Sequence, residues 1–530
     1  MQNSNERRTM LNNYIEDYVK IGIALSSEKD INRLLEMILT QARKVSNADA
    51  GTLYIIKKRA LEFAIVQNDT MKVSLGGDGK KPDLPDVQLY VDNEPNHSNV
   101  SSHVALTGEI VNIPDVYDAE GFDFTGPRKY DSATGYRSKS MIVIPMVDHE
   151  NHTIGILQLL NSVSPETKEV TAFSESQLRV VASLASMAAV ALSNKQLINS
   201  LQNLLDAFIE SIATAIDKKS AYTGGHIRRV ADLTVSIAKA MDKAKSGFFK
   251  SQKFSHDEIE ELRLAAWMHD VGKITTPEYV VDKSTKLETI FDRIVLLIQR
   301  FESIEQYLEN HYLKSKIDLI EKGDNKGLKK LKKEFDLSVQ QHKDDLVFIK
   351  SCNNTGDFMS NEAVERIESI AAKTYHIDGK DLPYLTKDEV SNLCIRKGTL
   401  LPGERHIIEN HVVMTSKILE QLPFPEKLSN VPTYAGGHHE KCDGSGYPNG
   451  LTCEELPLQS KIMVIADIFE ALTAADRPYR EPIKLSRAKQ ILEFMMKDNH
   501  IDKNIYNFFI KHEILMDYAK RELEPGQLDI

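Results

Sequence analysis

Apolar residues along the chain change period several times, and each change marks an element. In 11–44, Ile21, Leu25, Leu34, Leu35, Ile38 and Leu39 recur every three or four residues, the spacing of one helical face, with Ser27 or Asp30 available to cap the second part. GTLYIIKK (51–58) and LEFAIVQN (61–68) then predict two short strands around a tight turn. SMIVIPMVD (140–148) and TIGILQLLN (153–161) predict a second antiparallel pair, joined by the polar turn HENH. The stretch between the pairs, 70–139, is rich in Gly, Pro and Asp and predicts loops. Residues 1–195 therefore read as an α+β domain, a sheet flanked by helices.

From Ser174 onward the period is helical. No proline or glycine interrupts 166–223, and Leu178, Val181, Leu184, Ala188, Leu192, Leu201, Leu205, Phe208 and Ile212 form one apolar stripe. The spacing predicts a connector helix over 175–218 that either pairs with a second copy of the chain or packs on its own domain. Beyond it, 203–270, 287–350, 404–422, 459–475 and 485–497 are helical in pattern, and no strand is predicted, so 203–530 reads as an all-α domain. Residues 300–350 are highly charged, with a turn signal at Gly323-Asp324-Asn325-Lys326-Gly327, and predict a projecting helical hairpin. His311, His342 and His376 lie within the wider stretch 285–395 without a ligand pattern.

Length and charge narrow the function classes. A chain of 530 residues fits about two to four domains. A net charge of −11 argues against non-specific binding to DNA, which needs a basic surface. The four cysteines, Cys352, Cys394, Cys442 and Cys453, form no CxxC pair and read as reduced intracellular thiols. The N-terminus lacks the apolar core of a signal peptide, and the run VVASLASMAAVAL (180–192) is too short to span a bilayer. A cytoplasmic protein without membrane insertion is expected.

Five short segments carry the candidate chemistry. LRLAAWMHDVGK ends an apolar helix with His269-Asp270, a neighbouring imidazole and carboxylate able to serve two adjacent cations. GGHHEKCDGSGYPNGL (436–451) contains paired His438 and His439, costly in a core unless they are partnered or metal-bound. Asp467 sits inside the apolar helix KIMVIADIFEALTAADRPYR, where an isolated carboxylate is strongly disfavoured and a metal resolves the cost. TGGHIRRVA and ERHIIENHVVMTSKIL add His226 and His411.

Taken in order, HD, HHExxDGxGYP and DIFEALTxxDRPYR resemble the HD-GYP phosphodiesterases, over roughly 203–285 and 396–500, with an insertion at about 285–395. The resemblance implies hydrolysis of a bacterial cyclic dinucleotide, cyclic di-GMP or 3′,3′-cyclic GMP-AMP, to the linear dinucleotide. It implies two divalent ions, iron or manganese, held by His226, His269, Asp270, His411, His438, His439 and Asp467. Asp270 and Lys273 would be catalytic, and Lys273, Tyr447, Arg477 and Arg480 would meet the substrate. A receptor that binds the dinucleotide without turnover is the alternative. The chain departs from the pattern at Tyr222, where some members have glutamate, and in DKSTKL (282–287), with a related RKGTLL at 396–401. FDFTGPRKYDSATGYRSKSMIVIPM and IGILQLLN are similar to GAF domains, implying a regulatory module with room for a small ligand. Of one GAF signature, Asn161 and Phe173 are present, whereas Ser162, Gln177 and Leu178 replace the rest. A homodimer joined along 178–216 is expected.

Overall fold

The computed structural model describes residues 19–28, 30–219, 225–354, 358–377, 379–475, 482–511 and 513–529. The chain divides into two units, Met1–Leu205 and Asp206–Ile530. In the first, helix α1 (Ile31–Ser46) is capped by Asp30, whose side chain accepts from the amides of Asn32 and Arg33. Strands β1 (Ala48–Lys57) and β2 (Ala60–Asn68) follow, with Lys57 opposite Ala60 at the turn. With β3 (Val73–Gly76), β4 (Val111–Ile113), β5 (Met141–Val147) and β6 (Thr153–Val163) they form an antiparallel sheet of order β3-β2-β1-β6-β5-β4, with two further two-residue strands paired to β2 and β6.

One face of this sheet packs on α1 and on the first part of α2 (Glu175–Lys219) through Leu34, Ile38, Leu53, Leu157, Val181, Leu184, Ala188 and Leu192. Helix α2 is long and apolar enough to cross a membrane by length and composition. Its buried residues Val181 to Leu192 are spent on this core instead. Ser162 and Gln177 both reach Ser46 O, at 3.1 and 2.7 Å, and so tie β6 and α2 to the end of α1. Asn161, at φ 57°, donates to Arg137 O and accepts from the Lys139 amide. These contacts of Asn161, Ser162 and Gln177 tie the domain's elements together. On the other face the sheet bounds a cavity of about 450 Å³, lined among others by Tyr54, Phe63, Gln67, Phe124, Tyr136 and Gln158.

The second unit is helical, with one correction to the sequence reading. β7 (Thr374–Ile377) and β8 (Lys380–Pro383) form a small hairpin inside the insertion. The segment is short and polar, and only Tyr375 reaches a core, so no alternating pattern announces it. The charged region is the expected hairpin, α5 (Ile294–Glu321) and α6 (Asn325–Asn353), labelled here after α3 (His226–Asp242) and α4 (His256–Met268). Its turn is set by Gly323 at φ 68° and by Asp324, which accepts from the Gly327 amide. At its root, Leu297, Phe301, Ile304 and Ile349 join Leu287, Ile367 and Leu393 in a core of the insertion's own. The tips carry exposed Leu313, Ile317, Ile320 and Leu337 instead. Replacing 309–338 with a short Gly-Ser linker is therefore expected to leave bound metal unchanged. Loss of metal from a folded variant would contradict a purely peripheral hairpin.

Candidate metal centre

The capping box at the start of α4, with Ser255 accepting from the Glu258 amide and Glu258 from the Ser255 amide, fixes where that helix begins. Its apolar face, Leu262, Ala265, Ala266 and Met268, fixes how it sits, and His269-Asp270 emerges at its end. Gly272 then passes so close to helix α7 (Pro402–Leu419) that a Cβ there would lie 1.9 Å from His411 O. Only glycine fits. The Gly272 amide donates to Thr415 Oγ1 at 3.0 Å, and Thr415 Oγ1 donates to His269 O at 3.0 Å. The Thr415 hydroxyl thus ties the His269-Asp270 segment to the helix that carries His411. His226 opens α3, His438 and His439 follow the short helix Val431–Gly436, and Asp467 comes from α8 (Leu458–Thr473).

Asp270 stands at the middle. Its Oδ2 is 3.4 Å from His269 Nε2 and 3.6 Å from His226 Nε2. Its Oδ1 is 3.4 Å from His411 Nε2 and 3.8 Å from His438 Nε2. His226 Nε2 also lies 3.4 Å from Asp467 Oδ1. Ligand atoms of His226, His269 and Asp467 fall within 4.8 Å of one another, as do those of His411, His438 and His439. All seven sequence-expected ligands are brought together, in two groups on either side of one carboxylate. Lys273 Nζ lies 2.5 Å from Asp270 Oδ2. Arg477 and Arg480, like Tyr222, lie outside the described residues.

The donor set fits metal ions. His269 Nε2, His411 Nε2, His438 Nε2 and Asp270 Oδ1 are buried without a hydrogen-bond partner among the described residues. Each such atom costs about 1–3 kcal/mol if left unmet. The opposite ring nitrogens are all engaged: Nδ1 of His269, His411 and His438 donates to the carbonyls of Ala266 (2.7 Å), Ile408 (2.5 Å) and Ala435 (2.6 Å). Those bonds fix the tautomer and turn each Nε2 lone pair inward, as metal-binding imidazoles require.

Family models match residues 30–192 as a GAF domain, and 223–333 and 370–505 as HD domains. The chain carries a GAF domain followed by an HD domain. The chain is 57% identical over 92 residues to a cyclic di-GMP phosphodiesterase response regulator of Xanthomonas campestris, covering 17% of this chain and 23% of that protein. It is 41% identical over 105 residues to 3′3′-cGAMP-specific phosphodiesterase 3 of Vibrio cholerae, covering 20% and 22%. It is 31% identical over 130 residues to a cyclic di-GMP phosphodiesterase of Thermotoga maritima, covering 24% and 35%. The matched segments thus span about a third or less of these curated relatives. Among solved structures, a GAF domain/HD domain protein from Geobacter sulfurreducens aligns over 33% of this chain and 95% of that chain at 16% identity, with a TM-score of 0.24.

Several further residues shape the HD domain's centre; Glu440, Gly446 and Glu470 lie inside the motifs without having been singled out there, and Asp217 lies outside them. Glu470, fully buried, pairs with His226 Nδ1 and is held by Arg229, Nε at 2.7 Å and a terminal nitrogen at 2.6 Å. Its spacing of three from Asp467 places both on one face of α8, the signal that could have found it. Asp217 accepts from the Gly225 amide at 3.0 Å and so steadies the turn into His226. Glu440 accepts from the amides of Asn449 (2.7 Å) and Leu451 (2.9 Å), drawing in the loop that carries Tyr447. Gly446 lets that loop fold back, since a Cβ there would meet Lys441 N at 2.3 Å. The Tyr447 ring lies against His439, centroids 4.9 Å apart. Cys442 and Cys453 are joined across the loop as a disulfide, which corrects the expectation of four reduced thiols. A backbone hydrogen bond from Cys453 to Cys442 sets them opposite each other, a proximity their separation of 11 residues does not announce.

Burial and the neighbouring imidazoles hold His438 far below its usual range and His439 at about 3, so both are neutral and ready to bind a cation. His226 behaves oppositely. Burial pulls it down, but Glu470 and Asp270 outweigh burial and raise it to about 10. At neutral pH His226 therefore holds a proton that a metal ion bound through it would have to displace, so that affinity would rise with pH. Calorimetry in buffers of different ionisation enthalpy is expected to show proton release on loading. Release of none, with pH-independent affinity, would contradict this.

Proposed function

We propose that the HD domain is a cytoplasmic, metal-dependent phosphodiesterase that opens a bacterial cyclic dinucleotide, cyclic di-GMP or 3′,3′-cyclic GMP-AMP, to the linear dinucleotide. The observation that carries this reading is Asp270, whose two oxygens face separate groups of imidazoles. His226, His269 and Asp467 would hold one divalent ion, His411, His438 and His439 a second, with Asp270 shared. Iron or manganese suits such a nitrogen-rich set with carboxylates. Two bound ions would lower the pKa of a shared water and neutralise charge on the phosphoryl oxygens.

The chain's own residues supply the rest of the scheme. The Nδ1 bonds hold the imidazoles in place, so little reorganisation accompanies substrate entry. Lys273, beside Asp270 and about a quarter exposed, is the proposed cation for a substrate phosphate. Tyr447, packed on His439, would wall the pocket, and Arg477 and Arg480 would add two further cations. Supporting the substrate class, three relatives of the chain are phosphodiesterases named for these two dinucleotides. A receptor without turnover would need no complete ligand set, and this chain keeps all seven. The test is metal-loaded protein incubated with a panel of cyclic dinucleotides and read by chromatography. Accumulating linear dinucleotide is expected; loaded protein that turns over none of them would refute the assignment.

We assign the GAF domain a regulatory role, with the 450 Å³ cavity as the place for a small ligand. Helix α2 leaves Leu197, Ile198, Leu201, Leu204, Leu205 and Phe208 exposed along one stretch, and the proposed cover is the same stretch of a second copy in a parallel homodimer. Light scattering is expected to give twice the chain mass. A monomer at every concentration would contradict the dimer.

A further inference from the structure

The loop carrying Tyr447 is closed at its base by Cys442 and Cys453, whose Cα atoms are 4.0 Å apart. Cys442 donates its amide to His500 O at 3.1 Å, and Cys453 donates its amide to Cys442 O at 3.1 Å. Cys442 is buried, while Cys453 is partly exposed and open to attack. Asp502 Oδ2 lies 3.3 Å from Cys453 Sγ. Its other oxygen accepts from the amides of Asn504 (2.7 Å) and Ile505 (3.0 Å), at the start of helix α9 (Lys503–Lys511). The carboxylate is thereby fixed where it can accept a hydrogen bond from the Cys453 thiol once the pair is reduced. Both states of the pair are therefore accommodated: the bonded one by proximity, the dithiol by a waiting acceptor. Cys352 and Cys394 differ, because each is free.

We propose that Cys442 and Cys453 are a reversible redox-modification site, exchanging with a small-molecule thiol–disulfide couple of the glutathione class, and that their bond tightens the Tyr447 loop over the metal centre. In the oxidising direction, the Cys453 thiolate attacks one sulfur of the small disulfide and releases a first small thiol. The Cys442 thiolate then attacks the Cys453 sulfur of the mixed disulfide and displaces the second. Two protein thiols lose two electrons and two protons, and the small disulfide takes them up as two thiols. The effect on the loop follows from its other restraints. Without the bond, it is held by the Glu440 hydrogen bonds, the Tyr447 amide to His439 O at 3.3 Å, and the ring contact. Removing a covalent closure returns conformational freedom to the loop, which substrate binding must then order. This consequence for substrate rests on the proposed role of Tyr447; the exchange chemistry does not.

The test equilibrates the full-length protein in glutathione buffers from reducing to oxidising, then alkylates under denaturing conditions and reads the mass. Alkylation is expected to drop by two groups as the buffer becomes oxidising. In Cys442→Ser and Cys453→Ser that drop should be absent. A pair bonded in every buffer, or alkylated in every buffer, would overturn the proposal. So would a pair that becomes reactive only after chelation, since Cys442, Cys453 and Asp502 would then be holding a metal. Limited proteolysis reads the loop without substrate, and faster cutting within 443–452 is expected in the dithiol form. Equal cutting in both forms would overturn the effect on the loop. With substrate, reduction is expected to raise KM about tenfold with kcat nearly constant, as loss of loop pre-organisation predicts, and the doubly substituted variant should not respond. Hydrolysis with a redox-indifferent KM would remove the loop's link to substrate. Absence of hydrolysis would count against the phosphodiesterase reading alone, while alkylation and proteolysis still decide the redox site.

Discussion

Asp270→Ala is expected to empty both halves of the centre at once and to lower kcat by at least about 10³-fold, because the proposed two-metal site would lose its shared ligand. One carboxylate oxygen faces His226 and His269 and the other faces His411 and His438. Without it, cations on both sides would lose their common negative charge. His439→Ala touches only the second group and is expected to lower metal content on that side, abolishing turnover while leaving the His226 side loaded. Elemental analysis and turnover measured on the same samples separate the two variants. Asp270→Ala protein with metal still bound and a near-native rate would sink the shared-ligand assignment.

Glu470→Gln is expected to weaken metal binding on the His226 side by about 10- to 100-fold, the usual cost of disturbing a partner that orients a ligating histidine. The amide keeps the shape of the side chain but removes the charge that faces His226 Nδ1 and Arg229. Raising the metal concentration should restore kcat, which a merely unfolded variant would not allow. Metal titrations monitored by turnover, with thermal melts to verify folding, supply the comparison. Unchanged metal affinity in a folded variant would show that Glu470 serves packing alone.

Among the proposed ligands, His438, His439 and Asp467 stand out in their own segments because each is chemically out of place there, whereas His226 and His411 enter only through the ordered resemblance. A carboxylate within KIMVIADIF and paired imidazoles after an apolar turn are expensive unless something binds them. What supports them could not be read in the same way. Thr415 matters because Gly272 passes against it, and Glu470 matters because it meets His226 from 244 residues away. Neither fact exists before the helices pack. The sheet pairs at 51–68 and 140–161 were visible in their apolar runs and polar turns. The β7–β8 hairpin was not, because it buries only Tyr375 and so lacks a face to alternate. The Cys442–Cys453 pair hid for a related reason: a loop folded back by Gly446 and gathered by Glu440 brings them together, and spacing alone does not encode that fold.

Anomalous scattering from crystals loaded with iron or manganese tests the central arrangement most directly. Two peaks are expected in each HD domain, one bounded by His226, His269 and Asp467 and the other by His411, His438 and His439, with an Asp270 oxygen toward each. A single peak, or two peaks on the same side of Asp270, would contradict the account.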